Sequence, residues 1–222
     1  MSGKLEGLHE SFFRAYQLEL NPIAGKFDAE HLCRIHGYLF QDCPEFNPGR
    51  FREVQWQHPH YAKNRALESR VKRHSVHYMP HDFAARVNQV LNDFGGSAAL
   101  KGLTLDQAAD SLAQLYGDLD HAHPFAEGNS RTLRAFTAQM AREAGFRLDW
   151  GTTNADAFSR DRLYIARDVA VTQRAFPGLS GSNVHSLIEE RAYINILFRY
   201  AREPTLRDVI AASLTIVRGP AR

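Results

Sequence analysis

Apolar residues recur three and four positions apart along most of the chain, which is the spacing of one face of an α-helix. In residues 130–144 this spacing ends at Gly145, a residue type that commonly follows a helix. The pattern therefore predicts a mainly helical protein. The predicted helices span residues 8–20, 28–39, 83–94, 104–119, 130–144, 158–169, 184–200 and 205–217.

Capping signals support two of these helices. Asp28 precedes one of them, and Thr104 with Gln107 forms the pattern of a capping box before another. Prolines and glycine make residues 44–73 look irregular, and residues 177–182 look like a turn-rich break. The one β-prone stretch, 74–80, ends at Pro80. We expect an all-α fold with one short strand-forming segment.

Composition limits the classes of protein to consider. With 222 residues, of which 44% are hydrophobic, the chain can build one substantial core with a small appendage. We expect a domain over residues 1–200, with its core at about 27–150, and a helical extension over 201–222. A net charge of +2 gives no argument for nucleic acid as a partner, and no apolar run is long enough to span a membrane.

The two cysteines, Cys33 and Cys43, fit a reducing compartment. The N-terminus lacks the pattern of a signal peptide. These features predict a cytoplasmic protein, and secretion into a host cell stays open as an alternative.

Residues 123–134 carry the densest chemistry of the chain. His123 can accept a proton near neutral pH, and Glu127 offers a carboxylate oxygen suited to Mg²⁺. Gly128 lets a phosphate approach the backbone, Asn129 tolerates left-handed geometry, and Ser130 opens the following helix. The first amides of a helix favour anions. This order of residues predicts a phosphate cradle beside a base.

Two arginines follow on the first turns of the same helix. Arg131 and Arg134 are three residues apart, so we expect them to share one helix face near the cradle. A guanidinium group binds phosphate oxygens in a planar, bidentate way and keeps its charge at working pH. The set predicts a site that holds a triphosphate and transfers part of it.

This string resembles the motif of Fic-domain proteins, in which His-Pro-Phe is followed by any residue, an acidic residue, Gly-Asn-Gly-Arg, two free positions and Arg. Residues 123–134 match it except at Ser130, where glycine is usual. A second stretch, from Phe27 to Arg52, is similar to the segment upstream of the core in Fic toxins. The resemblance implies a helical fold, and enzymes of the family usually transfer AMP from ATP to a hydroxyl of a target protein.

The resemblance also implies a role for each motif residue. His123 would deprotonate the target hydroxyl, and Glu127 would hold Mg²⁺. The anion hole for the phosphates would comprise Gly128, Asn129 and the backbone of Ser130, with Arg134 on the terminal phosphate and Arg131 nearby. Ser130 replaces the usual glycine. We therefore expect its side chain to crowd the phosphates, or its backbone to need torsions that serine disfavours.

The family has a β-hairpin flap that pairs with the backbone of the target protein. Its counterpart here is expected at about residues 72–80, with Val76, His77, Tyr78 and Met79 as the docking residues. Many relatives are inhibited by a helix with Ser or Thr, three residues, Glu, then Gly or Asn. Residues 2–7 match this pattern and 186–191 match it in part, but so loose a pattern arises easily by chance. A separate inhibitory antitoxin chain, or none, is the stronger expectation.

Three alternatives stay open at this point. The transferred group could be another nucleotide or phosphocholine, because the loop recognises phosphates and not the base. Ser130 could instead leave a catalytically impaired module that only binds protein partners. A zinc hydrolase using His121, His123 and Glu127 is the third alternative, with a weak ligand spacing.

Overall fold

The computed structural model describes residues 2–54, 61–70, 73–177 and 191–217. Within these ranges the protein is mainly helical, with two small antiparallel sheets, which confirms the predicted fold class. The helices are α1 (Ser2–Leu20), α2 (Ala29–Leu39), α3 (Phe83–Phe94), α4 (Leu105–Ala122), α5 (Asn129–Glu143), α6 (Ala157–Ala175), α7 (Arg191–Arg199) and α8 (Leu206–Ser213). The strands are β1 (Tyr61–Ala66), β2 (Arg73–Tyr78), β3 (Phe146–Leu148) and β4 (Leu214–Ile216).

The predicted caps form and set where the helices begin. The Asp28 carboxylate accepts a hydrogen bond from the His31 amide, 2.9 Å away, at the start of α2. The capping box of α4 is complete, because the Thr104 hydroxyl accepts from the Gln107 amide and the Gln107 side chain accepts from the Thr104 amide. α3 ends at Gly95, whose φ of 78° favours glycine.

One hydrophobic core holds α2, α4 and α5 together, and it supports the residues that precede α5. Leu112, Leu119, Leu133 and Phe136 lie in its interior without solvent exposure. Two smaller clusters pack α6 against α7 and against β2. α8 and β4, in the segment that the sequence assigns to an extension, belong to the same main core.

The hairpin of β1 and β2 was only half predicted. The β-prone stretch at 74–80 corresponds to β2, but β1 falls in the segment 44–73 that looked irregular, so that prediction was wrong for Tyr61–Ala66. β1 and β2 pair antiparallel, from Tyr61 opposite Tyr78 to Ala66 opposite Arg73. β1 has few apolar residues at alternate positions, and its pairing with β2 is what makes it a strand.

The C-terminal part also differs from the pattern. The last predicted helix ends at Ser213, and the following residues form β4, which pairs with β3. The predicted break at 177–182, from residue 178 on, and the first part of the predicted helix at 184–200 lie outside the described residues. Within the described ranges, no helix combines the length and the apolar composition needed to cross a membrane.

Candidate active site

The motif loop, residues 123–128, joins the end of α4 to the start of α5. His123 caps α4 in the left-handed region, with φ 46° and ψ 56°, and its amide still donates to the Leu119 carbonyl at 3.1 Å. A histidine adopts this conformation more readily than most residues with a side chain. The histidine therefore sits at the point where the chain leaves α4 and enters the loop.

Side-chain contacts hold this loop rigid. The Asn129 side chain accepts from the Phe125 amide at 2.9 Å and donates to the Phe125 carbonyl at 2.7 Å. The buried His36 ring stacks on the Phe125 ring with centroids 3.9 Å apart, and its Nε2 lies 3.1 Å from the Glu127 carbonyl. Asn129 is the first residue of α5 and has helical torsions, so the left-handed geometry that it would tolerate is not adopted.

Gly128 is the residue that makes the sharp entry into α5. Its φ is 80°, and a Cβ atom at this position would overlap the ring of Phe40. Both observations require glycine here. The helix ladder begins when the Thr132 amide donates to the Gly128 carbonyl, so the amides of Asn129, Ser130 and Arg131 have no partner within α5. These amides and the helix dipole favour an anion at this end.

Ser130 does not behave as the sequence suggested. Ser130 is helical, and its φ is not positive. Its hydroxyl accepts a hydrogen bond from Nη1 of Arg167 at 2.8 Å. The expected backbone strain is therefore wrong. The hydroxyl is held by α6 through this hydrogen bond, and the expected crowding at the phosphates stays a prediction.

The two motif arginines contact different neighbours. Arg131 donates to the Ser11 hydroxyl, and its guanidinium lies 4.2 Å from the Phe12 ring centroid, so it faces α1. Arg134 lines a small cavity with Ser130 and Tyr164. Burial lowers the pKa of both arginines. No described carboxylate lies within ion-pair distance of either guanidinium, so both retain charge to offer an anion.

His123 lies beneath the hairpin. Its ring centroid is 3.8 Å from that of Tyr78 on β2, and 6.0 Å from that of Tyr61 on β1. Burial lowers its pKa to about 4, and a carboxylate from Asp120 opposes that shift. The imidazole is therefore neutral at pH 7 and can accept a proton. Its Nδ1 is buried and makes no hydrogen bond within the described residues.

The carboxylate facing His123 belongs to a buried ion pair that sequence reasoning missed. Asp120 accepts two parallel hydrogen bonds from Arg167, at 3.0 Å to Nε and 2.9 Å to Nη2. Asp120 Oδ1 also lies 3.8 Å from His123 Nδ1. The sequence signal was the position of Asp120, four residues after Tyr116 and eight after Leu112, on the apolar face of α4.

Arg52 was also missed as a site residue, although it ends the upstream stretch that resembles the family. Its Nε donates to the His123 carbonyl at 2.8 Å, and its Nη2 donates to the Met79 carbonyl. Its amide donates to the Pro124 carbonyl at 2.8 Å. One guanidinium therefore ties the end of the hairpin to the motif loop, and burial lowers its pKa to about 10.

Glu127 stands at the exposed side of the loop. Its side chain is 58% exposed, and Lys63 of β1 lies 3.2 Å from its Oε1 and 2.9 Å from the Ala126 carbonyl. A single accessible carboxylate fits Mg²⁺ that is held mainly by water and substrate phosphates. The described residues bring together no three His, Cys, Asp or Glu side chains as metal ligands, which argues against zinc on His121, His123 and Glu127.

The hairpin is anchored on α6 by two carboxylates. Asp168 is buried and accepts from Arg65 of β1 at 2.9 and 3.1 Å, with the ring of His74 of β2 at 2.8 Å. Asp161 accepts from the amides of Glu68 and Ser69 in the hairpin turn at 3.0 and 2.7 Å. The hairpin is therefore fixed over the motif loop.

The predicted docking residues lie on the inner strand of this hairpin. Val76, His77 and Tyr78 are buried, Met79 is half-buried, and Val76 and Tyr78 pack with Val171 of α6. Their side chains are packed in the protein interior, and their role in docking the backbone of a target stays a prediction. The exposed strand is β1, where every second side chain faces solvent.

Two segments match the inhibitory pattern. Residues 2–7 lie in α1, but their side chains are outside the description. Residues 186–190 lie outside the described residues altogether. Within the described residues, α1 contacts the site through Ser11 and Phe12, which both meet Arg131.

Sequence comparison identifies relatives of this chain. It is 31% identical over 160 residues to protein adenylyltransferase VbhT of Bartonella schoenbuchensis, a match covering 71% of this chain and 30% of the relative. It is 27% identical over 138 residues to the probable protein adenylyltransferase Fic of Salmonella typhimurium, covering 62% of this chain and 60% of that protein. The chain thus spans less than a third of VbhT.

Solved structures share the fold. The BepC effector of Bartonella tribocorum, crystallised with bound AMPPNP, matches with a TM-score of 0.59 and 18% identity over 96% of this chain and 86% of that one. The N-terminal Fic domain of an effector from Bartonella sp. AR 15-3 matches with a TM-score of 0.62 and 17% identity, covering 83% of this chain and 77% of that one. At these identities the likeness concerns the fold.

The family assignment rests on the part of the chain that builds the site. The family model described as Fic/DOC matches residues 26–141, which is more than half of the 222 residues. The match includes α2 to α4, nearly all of α5 and the whole motif. With the helical fold, the motif loop and the start of α5 arranged as described, this chain belongs to the Fic/DOC family.

Proposed function

We propose that this protein transfers AMP from ATP to a hydroxyl side chain of a target protein. The observation that carries the proposal is the neutral, buried imidazole of His123 beside a helix start that has two arginines without acidic partners among the described side chains. The naming of the VbhT relative as a protein adenylyltransferase supports the same activity.

The proposed step needs only a proton acceptor and a held triphosphate. The target hydroxyl loses its proton to His123, and its oxygen forms a bond to the α-phosphorus of ATP. The bond from that phosphorus to the oxygen bridging to the β-phosphate breaks, and pyrophosphate leaves. With its pKa lowered to about 4, His123 is unprotonated at pH 7. Because a general base works best with a pKa near the working pH, the proton transfer relies on Asp120, which raises that pKa.

The start of α5 is the proposed phosphate site. The amides that follow Gly128 point out of the helix, and the left-handed glycine removes the Cβ that would stand in their way. Arg134 and Arg131 would neutralise the phosphates, and Ser130 contributes its amide. Because Arg131 already contacts Ser11 and Phe12 of α1, we assign the terminal phosphate to Arg134.

Mg²⁺ is the proposed cofactor, and Glu127 is the residue that would hold it. Its exposed carboxylate lies in the loop next to the proposed phosphate site, which fits a cation that shares its ligands with substrate oxygens. When bound, Mg²⁺ would neutralise charge on the leaving pyrophosphate. Lys63, 3.2 Å from the same carboxylate, would shift toward the phosphates.

The target protein is proposed to dock on β1. In the described residues no strand pairs with the outer edge of β1, and Ala62, Asn64 and Ala66 expose only small side chains there. A strand of the target added to this edge would bond through its backbone and would lie next to the motif loop, which Lys63 contacts. This mode tolerates varied target sequences.

An inhibitory partner is proposed to act on the arginines. A carboxylate from a separate antitoxin chain would find Arg134 half-buried and without a described acidic partner. Such a contact would compete with the terminal phosphate for the same guanidinium. Inhibition would then be relieved by high ATP concentration.

The test is incubation with ATP labelled at the α-phosphate, with Mg²⁺, and a lysate as the source of targets. Label from α-labelled ATP should depend on the added protein, whereas γ-labelled ATP should give no label beyond that of the lysate's own kinases, because pyrophosphate leaves. His123→Ala should lower the labelling rate by about 10²–10⁴-fold, the usual contribution of a positioned base. His81→Ala, which removes an exposed histidine outside the loop, is the matched control and should label normally.

Other results would redirect the proposal. Label from α-labelled GTP, CTP or UTP, or from choline-labelled CDP-choline, would keep the mechanism and change the substrate. Absence of label from all of these, with undiminished binding of a protein to the hairpin, would refute transfer and favour an interaction module.

A further inference from the structure

A polar chain lies behind the motif histidine and does not belong to the motif itself. Its centre is the ion pair of Asp120 on α4 with Arg167 on α6, and both side chains are about 1% exposed. Two parallel hydrogen bonds of 3.0 and 2.9 Å fix the plane of the carboxylate against the guanidinium. Such a buried pair has one well-defined geometry, because separating the two groups leaves each charge without a partner.

One oxygen of this carboxylate also faces the histidine. Oδ1 of Asp120, the atom bound by Nη2 of Arg167, lies 3.8 Å from Nδ1 of His123. That nitrogen is buried and has no hydrogen bond within the described residues. A carboxylate oxygen has two lone pairs, so Oδ1 can accept a second bond. At 3.8 Å the contact is longer than a hydrogen bond, and catalytic contacts commonly tighten when substrate binds.

The third arm of the guanidinium reaches the proposed phosphate site. Nη1 of Arg167 donates to the hydroxyl of Ser130 at 2.8 Å, on the first turn of α5. The same side chain therefore binds the carboxylate that faces His123 and the residue that replaces the usual glycine of the motif.

We propose, resting on the proposed AMP transfer, that Asp120 is a positioning residue that accepts a hydrogen bond from the protonated Nδ1 of His123, and that Arg167 links it to Ser130 at the phosphate site. With Nδ1 protonated and bound to Asp120, Nε2 keeps its lone pair and can take the proton of the target hydroxyl. The role of Ser130 is then to accept a hydrogen bond from Nη1, the remaining nitrogen of the Arg167 guanidinium.

The charges around the histidine determine how strongly it acts as a base. Asp120 raises the pKa of His123, whereas burial, Lys63 and Arg167 lower it, and the rings of Tyr78 and Tyr61 cover it. Arg52, which donates to its carbonyl, is a further cation nearby. Arg167 binds the same carboxylate, so its positive charge weakens the attraction between Asp120 and the His123 imidazole. Removing Arg167 should therefore make His123 more basic, and by a larger amount when Asp120 is present than when it is absent.

The first measurement uses the wild-type protein labelled with ¹⁵N-histidine. NMR shifts of the two ring nitrogens of His123 at pH 7.5 should show Nδ1 protonated and Nε2 unprotonated. The reverse tautomer would overturn the proposal, because Asp120 could then not be the acceptor. This measurement needs no substitution, so it does not depend on whether a variant folds.

The second measurement is the NMR titration of His123 in variants. Arg167→Met should raise its pKa by about 1–3 units, the range expected for an opposite charge a few ångströms away. Measured against Asp120→Asn, the double variant D120N/R167M should show a clearly smaller rise. A rise of equal size in the double variant would come from the direct effect of the Arg167 charge alone and would overturn the proposal. Arg167→Lys, a milder change, should give a smaller rise if Arg167→Met does not fold.

Arg174→Met is the matched control, because Arg174 joins α6 to Asp118 on α4 with an Nε to Oδ1 distance of 2.7 Å. It removes a similar pair on the same two helices away from the histidine, and the His123 pKa should not change.

In the transfer assay, Asp120→Asn should lower kcat with KM for ATP changed less than about twofold, because Asp120 acts through the base. A wild-type protein that transfers nothing would refute the proposed function, whereas the NMR results would still decide the role of Asp120.

Discussion

The neutral state of His36 should make the stability of this protein depend on pH. The Gly49 amide donates to Nδ1 at 3.0 Å, so that nitrogen carries no proton, and Nε2 donates to the Glu127 carbonyl at 3.1 Å. The ring is fully buried and stacks on Phe125 at an angle of 3°. A second proton would oppose the Gly49 amide and would place a charge in the core, so burial lowers the pKa of His36 to about 4.

The sign and size of the effect follow from linkage. In the unfolded chain the histidine has an ordinary pKa of 6.5, so between pH 6.5 and 4 the unfolded state binds more protons than the folded state. The contribution of His36 is therefore fully present above pH 6.5 and is lost as the pH falls. Between pH 7.5 and pH 5.0 the free energy of unfolding should drop by about 2 kcal/mol because of this residue alone.

Urea unfolding at the two pH values tests this. His36→Gln should lower the free energy of unfolding at pH 7.5 and should show a pH-dependent drop about 2 kcal/mol smaller than that of the wild type. Burial also lowers the pKa of His121 and His123 to about 4, but both residues remain in the variant, so the difference isolates His36.

Leu39→Ala is the control for a general loss of stability. It opens a cavity on the same helix and should cost about 2–5 kcal/mol at both pH values, leaving the pH-dependent drop as in the wild type. The reasoning is refuted if His36→Gln retains the whole wild-type drop between pH 7.5 and 5.0.

Three further predictions concern the elements around the site. Gly128→Ala should cost at least about 1–3 kcal/mol for the left-handed torsion alone, should add overlap with Phe40, and should abolish ATP binding; normal calorimetric binding of ATP would contradict this. Asp168→Asn leaves Arg65 without its charge partner and should cost about 3–5 kcal/mol, with faster amide hydrogen exchange in β1 and β2; unchanged exchange would show that α6 does not anchor the hairpin. Thr104→Ala should cost about 1 kcal/mol in thermal unfolding and leave AMP transfer unchanged, because the cap lies at the opposite end of α4 from the site.

Local features of the sequence were sufficient for most helices and for the motif. The apolar spacing of α2, α4 and α5 and the caps at Asp28 and Thr104 act over a few residues, and both caps form as predicted. Phe125 is buried against His36 and anchors the loop in the core. The motif order also fixed which residues stand at the start of α5, since helix and loop are consecutive in the chain.

Other features depend on partners far away in sequence. β1 has a run of polar and small residues with no clear period, and it is a strand because β2 pairs with it and α6 anchors both. The end of the chain forms β4 and not a continued helix, because β3 offers it a partner. Neither pairing leaves a signal in the local hydrophobic pattern.

The sequence by itself determined the helical class, the family and the order of chemical groups in the motif, because these depend on spacing between near neighbours. Tertiary structure alone decided that Arg167 binds Asp120, 47 residues away, and Ser130, 37 residues away. It also decided that Arg131 turns to α1 while Arg134 lines a cavity beside α6. A buried charge is stable only with a partner, and the packing of α4, α5 and α6 determines which partner lies within reach.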